Sequence, residues 1–214
     1  MGELKEALAA NWDGYEQMRQ AFVRAPKWGN DDDHVDQMWV RVHEDLAKVS
    51  WSMRDICGQP WPGLPEGIAF NIVQATKIGA LPNGRRLGDP LYDGGCSPGA
   101  EFDKKGPTAV LKSVSKLDHV GSVRATLLNQ RLSPSQLQGE KGFAMWRDYM
   151  KTWHDLNINH VQFNMVDNET LYAAQREPEQ YSELLVRIAG YSAHFVEMNK
   201  ITQDSIIARH VQRF

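Results

Sequence analysis

Cysteine is scarce: Cys57 and Cys96 are the two in 214 residues. Neither has a second Cys or His at ligand spacing, so the sequence suggests no disulfide framework and no zinc site, and no metal is expected. An excess of basic charge is also lacking. Lys and Arg number 24 against 27 Asp and Glu, a net charge of −3, with the signs interspersed. That leaves no electrostatic footprint for nucleic acid and no polybasic surface for an anionic membrane. Long apolar runs are missing as well, and Met1-Gly2-Glu3-Leu4-Lys5-Glu6 is not a basic segment leading into one. A cytoplasmic location is the expectation. What is present is a 42% hydrophobic composition, enough for a sizeable core in a chain of this length.

Apolar residues fall at helical spacing in Tyr15, Met18, Phe22 and Val23, and again in Val35, Met38, Trp39, Val42, Leu46 and Val49. The pattern predicts a helical hairpin turned by Ala25-Pro26-Lys27-Trp28-Gly29-Asn30-Asp31. From Cys57 to Gly106 the texture is Pro- and Gly-rich, with short apolar runs such as Gly67-Ile68-Ala69-Phe70-Asn71-Ile72-Val73 that read as brief strands. Pro107 opens a helix through Leu117, since its missing amide hydrogen costs nothing in the first turn. Phe143, Trp146, Met150 and Trp153 mark the packed stripe of a further helix ending near Leu156. His160-Val161-Gln162-Phe163-Asn164-Met165-Val166 alternates polar and apolar residues, the period of a strand with two unlike faces. Two readings of its polar set stand: His160, Gln162 and Asn164 line a polar cavity, with Phe70 as a further candidate lining residue, or they form a solvated face. Asn168 and Thr202 are the expected caps of the last two helices.

The segment Arg187-Ile188-Ala189-Gly190-Tyr191-Ser192-Ala193 resembles the glycyl radical loop of the pyruvate formate-lyase-like enzymes. The similarity continues through Phe195, Gln203-Asp204 and Ile206-Ile207-Ala208-Arg209. A radical on Cα is delocalised into the flanking amide nitrogen and carbonyl when that carbon flattens, and glycine alone offers no side chain to clash. Upstream, Ala25-Pro26-Lys27-Trp28-Gly29-Asn30-Asp31-Asp32, Leu81-Pro82-Asn83-Gly84-Arg85-Arg86, Asp93-Gly94-Gly95-Cys96-Ser97-Pro98, Gly106-Pro107-Thr108-Ala109-Val110-Leu111-Lys112-Ser113 and His160–Asn164 are similar to the C-terminal part of the same family. The resemblance implies an α/β fold: the C-terminal part of a ten-stranded β/α barrel with an inserted glycyl radical loop and several flanking helices. It implies two segments, 1–106 as a helical hairpin and loop-rich barrel piece and 107–214 as the C-terminal glycyl radical domain.

It also implies that Gly190 carries the radical and that Arg187, Ile188, Ala189, Tyr191 and Ser192 support the loop. No cofactor is expected to be bound. The radical would be installed by a separate radical SAM activase using S-adenosylmethionine and an iron–sulfur cluster. The family passes the radical to a thiyl cysteine that lies upstream of every segment matched here, and neither Cys57 nor Cys96 sits in a similar context. The expected partners are therefore an N-terminal half or subunit carrying that cysteine, the activase, and possible small accessory subunits. The run Tyr149-Met150-Lys151-Thr152-Trp153-His154-Asp155-Leu156-Asn157-Ile158, with the strand after it, looks most like the benzylsuccinate and alkylsuccinate synthases, which add a hydrocarbon to fumarate. A glycyl radical dehydratase, lyase or decarboxylase is the alternative, as is a stand-alone radical-carrying replacement module.

Overall fold

In a computed structural model, residues 1–61, 70–99, 101–121, 126–188, 190–209 and 211–212 are described. The chain divides into two compact units, Met1–Pro26 with Ala69–Leu91, and Lys27–Ile68 with Tyr92–Phe214. The expected boundary at 106 falls inside the second.

The first unit holds α1 (Gly2–Ala9), α2 (Glu16–Arg24) and the short α4 (Phe70–Val73). The strand expected over 67–73 is not formed by Phe70–Val73, which make a helical turn, and 67–69 lie outside the described residues. The unit is organised around Arg85, a buried residue of the Leu81–Arg86 motif. Its guanidinium donates to the carbonyls of Ala75 (2.7 Å), Ile78, Gly79 and Asp89 (2.9 Å each). One planar donor fork thereby gathers carbonyls from Ala75 to Asp89, and Gly88 N also donates to that of Ala75. The Trp12 indole closes the arrangement by donating to the Arg85 carbonyl at 3.1 Å.

The second unit begins with α3 (Asp33–Ser52), so the two helices expected to form a hairpin belong to different units. Lys27–Asp32 is fastened by side chains: Asn30 donates to the carbonyls of Lys27 and Phe102, and Trp28 donates to that of Cys96. Lys116 reaches the carboxylates of Asp31, Asp33 and the fully buried Asp36. Burial works to lower the Lys116 pKa, but the three carboxylates outweigh it and hold it raised.

Next come α5 (Pro107–Val114), β1 (Leu127–Arg131), α6 (Gly139–Asp155) and β2 (His160–Asn164). Strands β1 and β2 pair in parallel, with Leu127 opposite His160 and Arg131 opposite Asn164. A parallel pair needs a crossover, and α6 supplies it. Because side chains alternate, the register puts Leu128 and Val161 on the face that meets Val110, Leu111 and Val114 of α5 and Tyr149 of α6. Burying each of these aliphatic side chains contributes about 1.5–3 kcal/mol. The opposite face carries Asn129, Arg131, His160, Gln162 and Asn164.

The chain continues as α7 (Asn168–Arg176), the antiparallel hairpin β3 (Leu185–Arg187) and β4 (Ser192–His194), and α8 (Lys200–Ile207). Leu171 and Ala174 of α7, Val186, Ile188 and Phe195 of the hairpin region, and Ile206 and Ile207 form a second core cluster. Both expected caps are displaced toward the N-terminus, the first by one residue and the second by three. Asp167, not Asn168, caps α7 by accepting from Thr170 N at 2.7 Å, and Asn199, not Thr202, caps α8, with Thr202 N as its donor. Among the described residues no helix is long and apolar enough to cross a membrane.

Candidate functional site

Gly190 stands at the exposed tip of the β3–β4 hairpin with φ +78°, in the left-handed region that side chains other than glycine's rarely tolerate. The turn is closed behind it by Ile188 N donating to the Tyr191 carbonyl at 2.9 Å. Ala189 lies outside the described residues. Ile188 is buried in the cluster beneath the hairpin, whereas Tyr191 and Ser192 are exposed.

The hairpin is held by the polar face of β2. Asn164 treats Arg187 as a neighbouring strand would: its Oδ1 accepts from Arg187 N at 2.7 Å and its Nδ2 donates to the Arg187 carbonyl at 2.5 Å. Gln162 Oε1 accepts twice, from Arg187 Nε at 2.5 Å and from Gly190 N at 3.0 Å. Both residues are buried, so the solvated-face reading of this strand does not hold. His160 is half-buried. Phe70 opens α4 in the first unit and is exposed. Of the two readings of polar β2 residues, neither anticipated that Gln162 and Asn164 commit their side chains to the hairpin itself.

A second set of contacts stands behind these. Arg209 NH1 donates to the Arg187 carbonyl at 3.2 Å, and its Nε lies 3.0 Å from Asp93 Oδ2 in a largely sheltered ion pair. Asp93 begins the Asp-Gly-Gly-Cys-Ser turn. There Gly94, at φ +65°, packs so close to β1 that a Cβ would come within 2.7 Å of the Leu127 carbonyl. Buried Arg131 of β1 donates to the carbonyls of Ile206, Ile207 and Arg209 and to that of Val166, fixing the end of α8. Arg209 and Asp93 both lie in segments that resemble the family, yet neither is among the expected site residues. Their signal was the pairing of opposite charges between two segments that both resemble the same family.

The cysteines are separate from this set. Cys96 is buried in the core, and burial pushes its thiol up to about 12, so it is protonated at neutral pH. Cys57 is exposed in a turn whose amide donates to Asp55. A cavity of about 570 Å³ lies before β2, lined among others by His119, Met150, Trp153 and Asn159, and includes no hairpin residue. His119 has both ring nitrogens engaged, with Thr126 and Val114, and burial lowers its pKa, which makes it a structural pin rather than an acid or base. No group of three His, Cys, Asp or Glu is placed to hold a metal among the described residues.

Residues 92–196, which include the hairpin and both parallel strands, match the glycine radical family, so the hairpin belongs to a glycyl radical domain. Residues 1–61 match the pyruvate formate lyase-like family, and the chain belongs with the pyruvate formate lyase-like glycyl radical enzymes. It is 37% identical over 215 residues to the trans-4-hydroxy-L-proline dehydratase of Clostridioides difficile, covering 100% of this chain and 27% of the dehydratase. It is 38% identical over 217 residues to the isethionate sulfite-lyase of Nitratidesulfovibrio vulgaris, covering 98% of this chain and 25% of the lyase. The glycerol-bound B12-independent glycerol dehydratase from Clostridium butyricum superposes with a TM-score of 0.93 at 39% identity, over 99% of this chain and 27% of that one. The fold is therefore that of the C-terminal region of these enzymes, and the chain spans about a quarter of their length. The finer resemblance to the benzylsuccinate and alkylsuccinate synthases finds no support among these relatives, whose names are those of dehydratases and a lyase.

Proposed function

We propose that this chain stores a radical on Gly190 for an enzyme of the dehydratase or lyase kind, acting on a small hydroxylated substrate. The observation that carries the proposal is the hairpin tip: a glycine in the left-handed region, exposed, with its amide held by a buried glutamine. The relatives' names point to loss of water or sulfite from small polar molecules. In this reading the radical SAM activase removes one hydrogen atom from Gly190 Cα. A cysteine thiol in the N-terminal portion of the parent enzyme later returns a hydrogen atom to Gly190 and becomes the thiyl that attacks substrate. The ten-stranded barrel would be completed by that portion. Captodative stabilisation makes glycine a stable store, and a hairpin held by a few side-chain hydrogen bonds can be released to a second protein.

The test is anaerobic incubation with the activase, S-adenosylmethionine and a reductant. A doublet electron paramagnetic resonance signal should appear and collapse to a singlet when the glycine α-hydrogens are replaced by deuterium. The same doublet in Gly190→Ala would sink the assignment. The run Tyr149–Ile158 supports a second reading, addition of a hydrocarbon to fumarate. Offering the complete enzyme a vicinal diol or hydroxy acid in one reaction and toluene with fumarate in another separates the two.

A further inference from the structure

We propose that Gln162 is the positioning residue of the glycine hairpin, a clasp whose one oxygen fixes the orientation of the Gly190 amide and ties it to Arg187. The inference rests on Gly190 being the radical residue, but its geometry stands independently. Gln162 lies on β2, a strand locked by parallel pairing to β1, and its side chain is 5% exposed. Its Oε1 accepts from Gly190 N at 3.0 Å and from Arg187 Nε at 2.5 Å. Two N–H donors can be met only by the carbonyl end of a carboxamide, so the side chain has one usable orientation. The bond from Arg187 is charge-assisted, the stronger kind, and it holds the oxygen in place for the weaker bond from glycine.

The division of labour along β2 sharpens the assignment. Asn164 and Arg209 hold the root of the hairpin at the Arg187 backbone, and the buried Val186 and Ile188 hold its floor. Among these residues Gln162 is the one that bonds to Gly190 itself. The nitrogen it engages is a direct substituent of the carbon that would carry the unpaired electron. Fixing that nitrogen at φ +78° fixes where the two α-hydrogens point and keeps the residue away from the flattened geometry in which the radical is most delocalised. Seating the hairpin and forming the radical therefore make opposite demands on the Gln162 contact. The clasp must hold the tip in the closed hairpin and let go when Gly190 is presented to the activase.

Amide hydrogen exchange at Gly190, measured by NMR on the chain itself, reads this directly. Gln162→Leu removes the acceptor and should speed Gly190 exchange by about tenfold or more, the loss expected for one good hydrogen bond. Gln162→Asn keeps an amide one methylene too short and should behave like Gln162→Leu. Gln162→Glu keeps oxygens for both donors and should restore protection to within about twofold of the parent. Exchange at Val161 and Phe163 reports whether β2 is intact, so a variant that merely fails to fold is recognised, and the Glu and Asn variants then decide. Unchanged Gly190 exchange in Gln162→Leu, or exchange in Gln162→Glu as fast as in Gln162→Leu, would overturn the clasp. A radical signal persisting in Gly190→Ala would instead overturn the radical assignment and leave the exchange result standing.

Discussion

Two segments of this chain are fastened to their surroundings by side chains, and they are held in opposite ways. Around Arg85, one buried guanidinium donates to four carbonyls between Ala75 and Asp89, so a single group gathers much of the loop. At the hairpin, Asn164, Gln162 and Arg209 each carry a part, and the residue at the tip stays exposed. A loop tied at one buried centre cannot open without leaving several carbonyls unpaired, a cost that rises steeply. A loop tied at several modest points can be released stepwise. The difference suits a permanent structural knot in one case and a segment that must leave its seat in the other.

Arg85→Met provides the largest expected effect. Removing the guanidinium takes its donor from the carbonyls of Ile78, Gly79 and Asp89 and leaves Ala75 with Gly88 N as a donor, and a loss of about 3–5 kcal/mol is expected, in the tail for single substitutions. Denaturant unfolding of the whole chain should show it, with exchange rising throughout 75–89. Protection of that loop in the variant would mean the knot does not depend on Arg85 and would dissolve the contrast.

Asn164→Leu comes next. It removes both bonds to the Arg187 backbone, but Arg209 still serves that carbonyl and the apolar floor remains, so the expected cost is about 1–3 kcal/mol. Exchange should quicken at Arg187 and across the hairpin while residues 75–89 keep their protection. Global unfolding in this variant would show that the hairpin is as locked as the Arg85 loop. Asp93→Asn removes the charge that pairs with Arg209, and about 1 kcal/mol of hairpin protection should be lost.

These contrasts were partly legible in the sequence. Gly190 stood out through resemblance to the glycyl radical loop, carried by Arg187-Ile188 before it, Tyr191-Ser192 after it and the matching segments on either side. Pro107 and the Trp146–Trp153 stripe announced α5 and α6 through local rules of helix entry and periodicity. The alternation over His160–Asn164 correctly marked a strand with a polar face. What alternation does not specify is the partner of that face, because the hairpin lies more than twenty residues away in sequence and meets it only after the chain has turned back. The work of Arg85 was hidden for a related reason: an arginine satisfied by backbone carbonyls has no sequence partner to betray it. The run Phe70–Val73 misled because a short, mostly apolar run fits a buried strand and a helical turn equally well.

The smallest expected effect concerns the floor under the hairpin. Leu171 and Ala174 of α7 belong to the cluster that buries Val186 and Ile188, and α7 starts from the Asp167 cap. Asp167→Ala should cost about 1 kcal/mol, whereas Asn168→Ala, at the neighbouring position that sequence alone favoured, should be nearly neutral. The Thr170 backbone N–H is the main cause holding the Asp167 carboxyl below its ordinary range, with the Thr170 side chain adding to it and burial opposing. A carboxyl whose pKa is lower folded than unfolded contributes stability above its unfolded value of about 3.9 and loses it as pH falls through the folded value. The gap in urea midpoint between the parent and Asp167→Ala should therefore be full at pH 7 and shrink as the solution is acidified below about pH 4. A gap that stays constant into that range would mean the cap is made by something other than the ionised carboxylate, and a larger loss in Asn168→Ala than in Asp167→Ala would move the helix start back to where the sequence placed it.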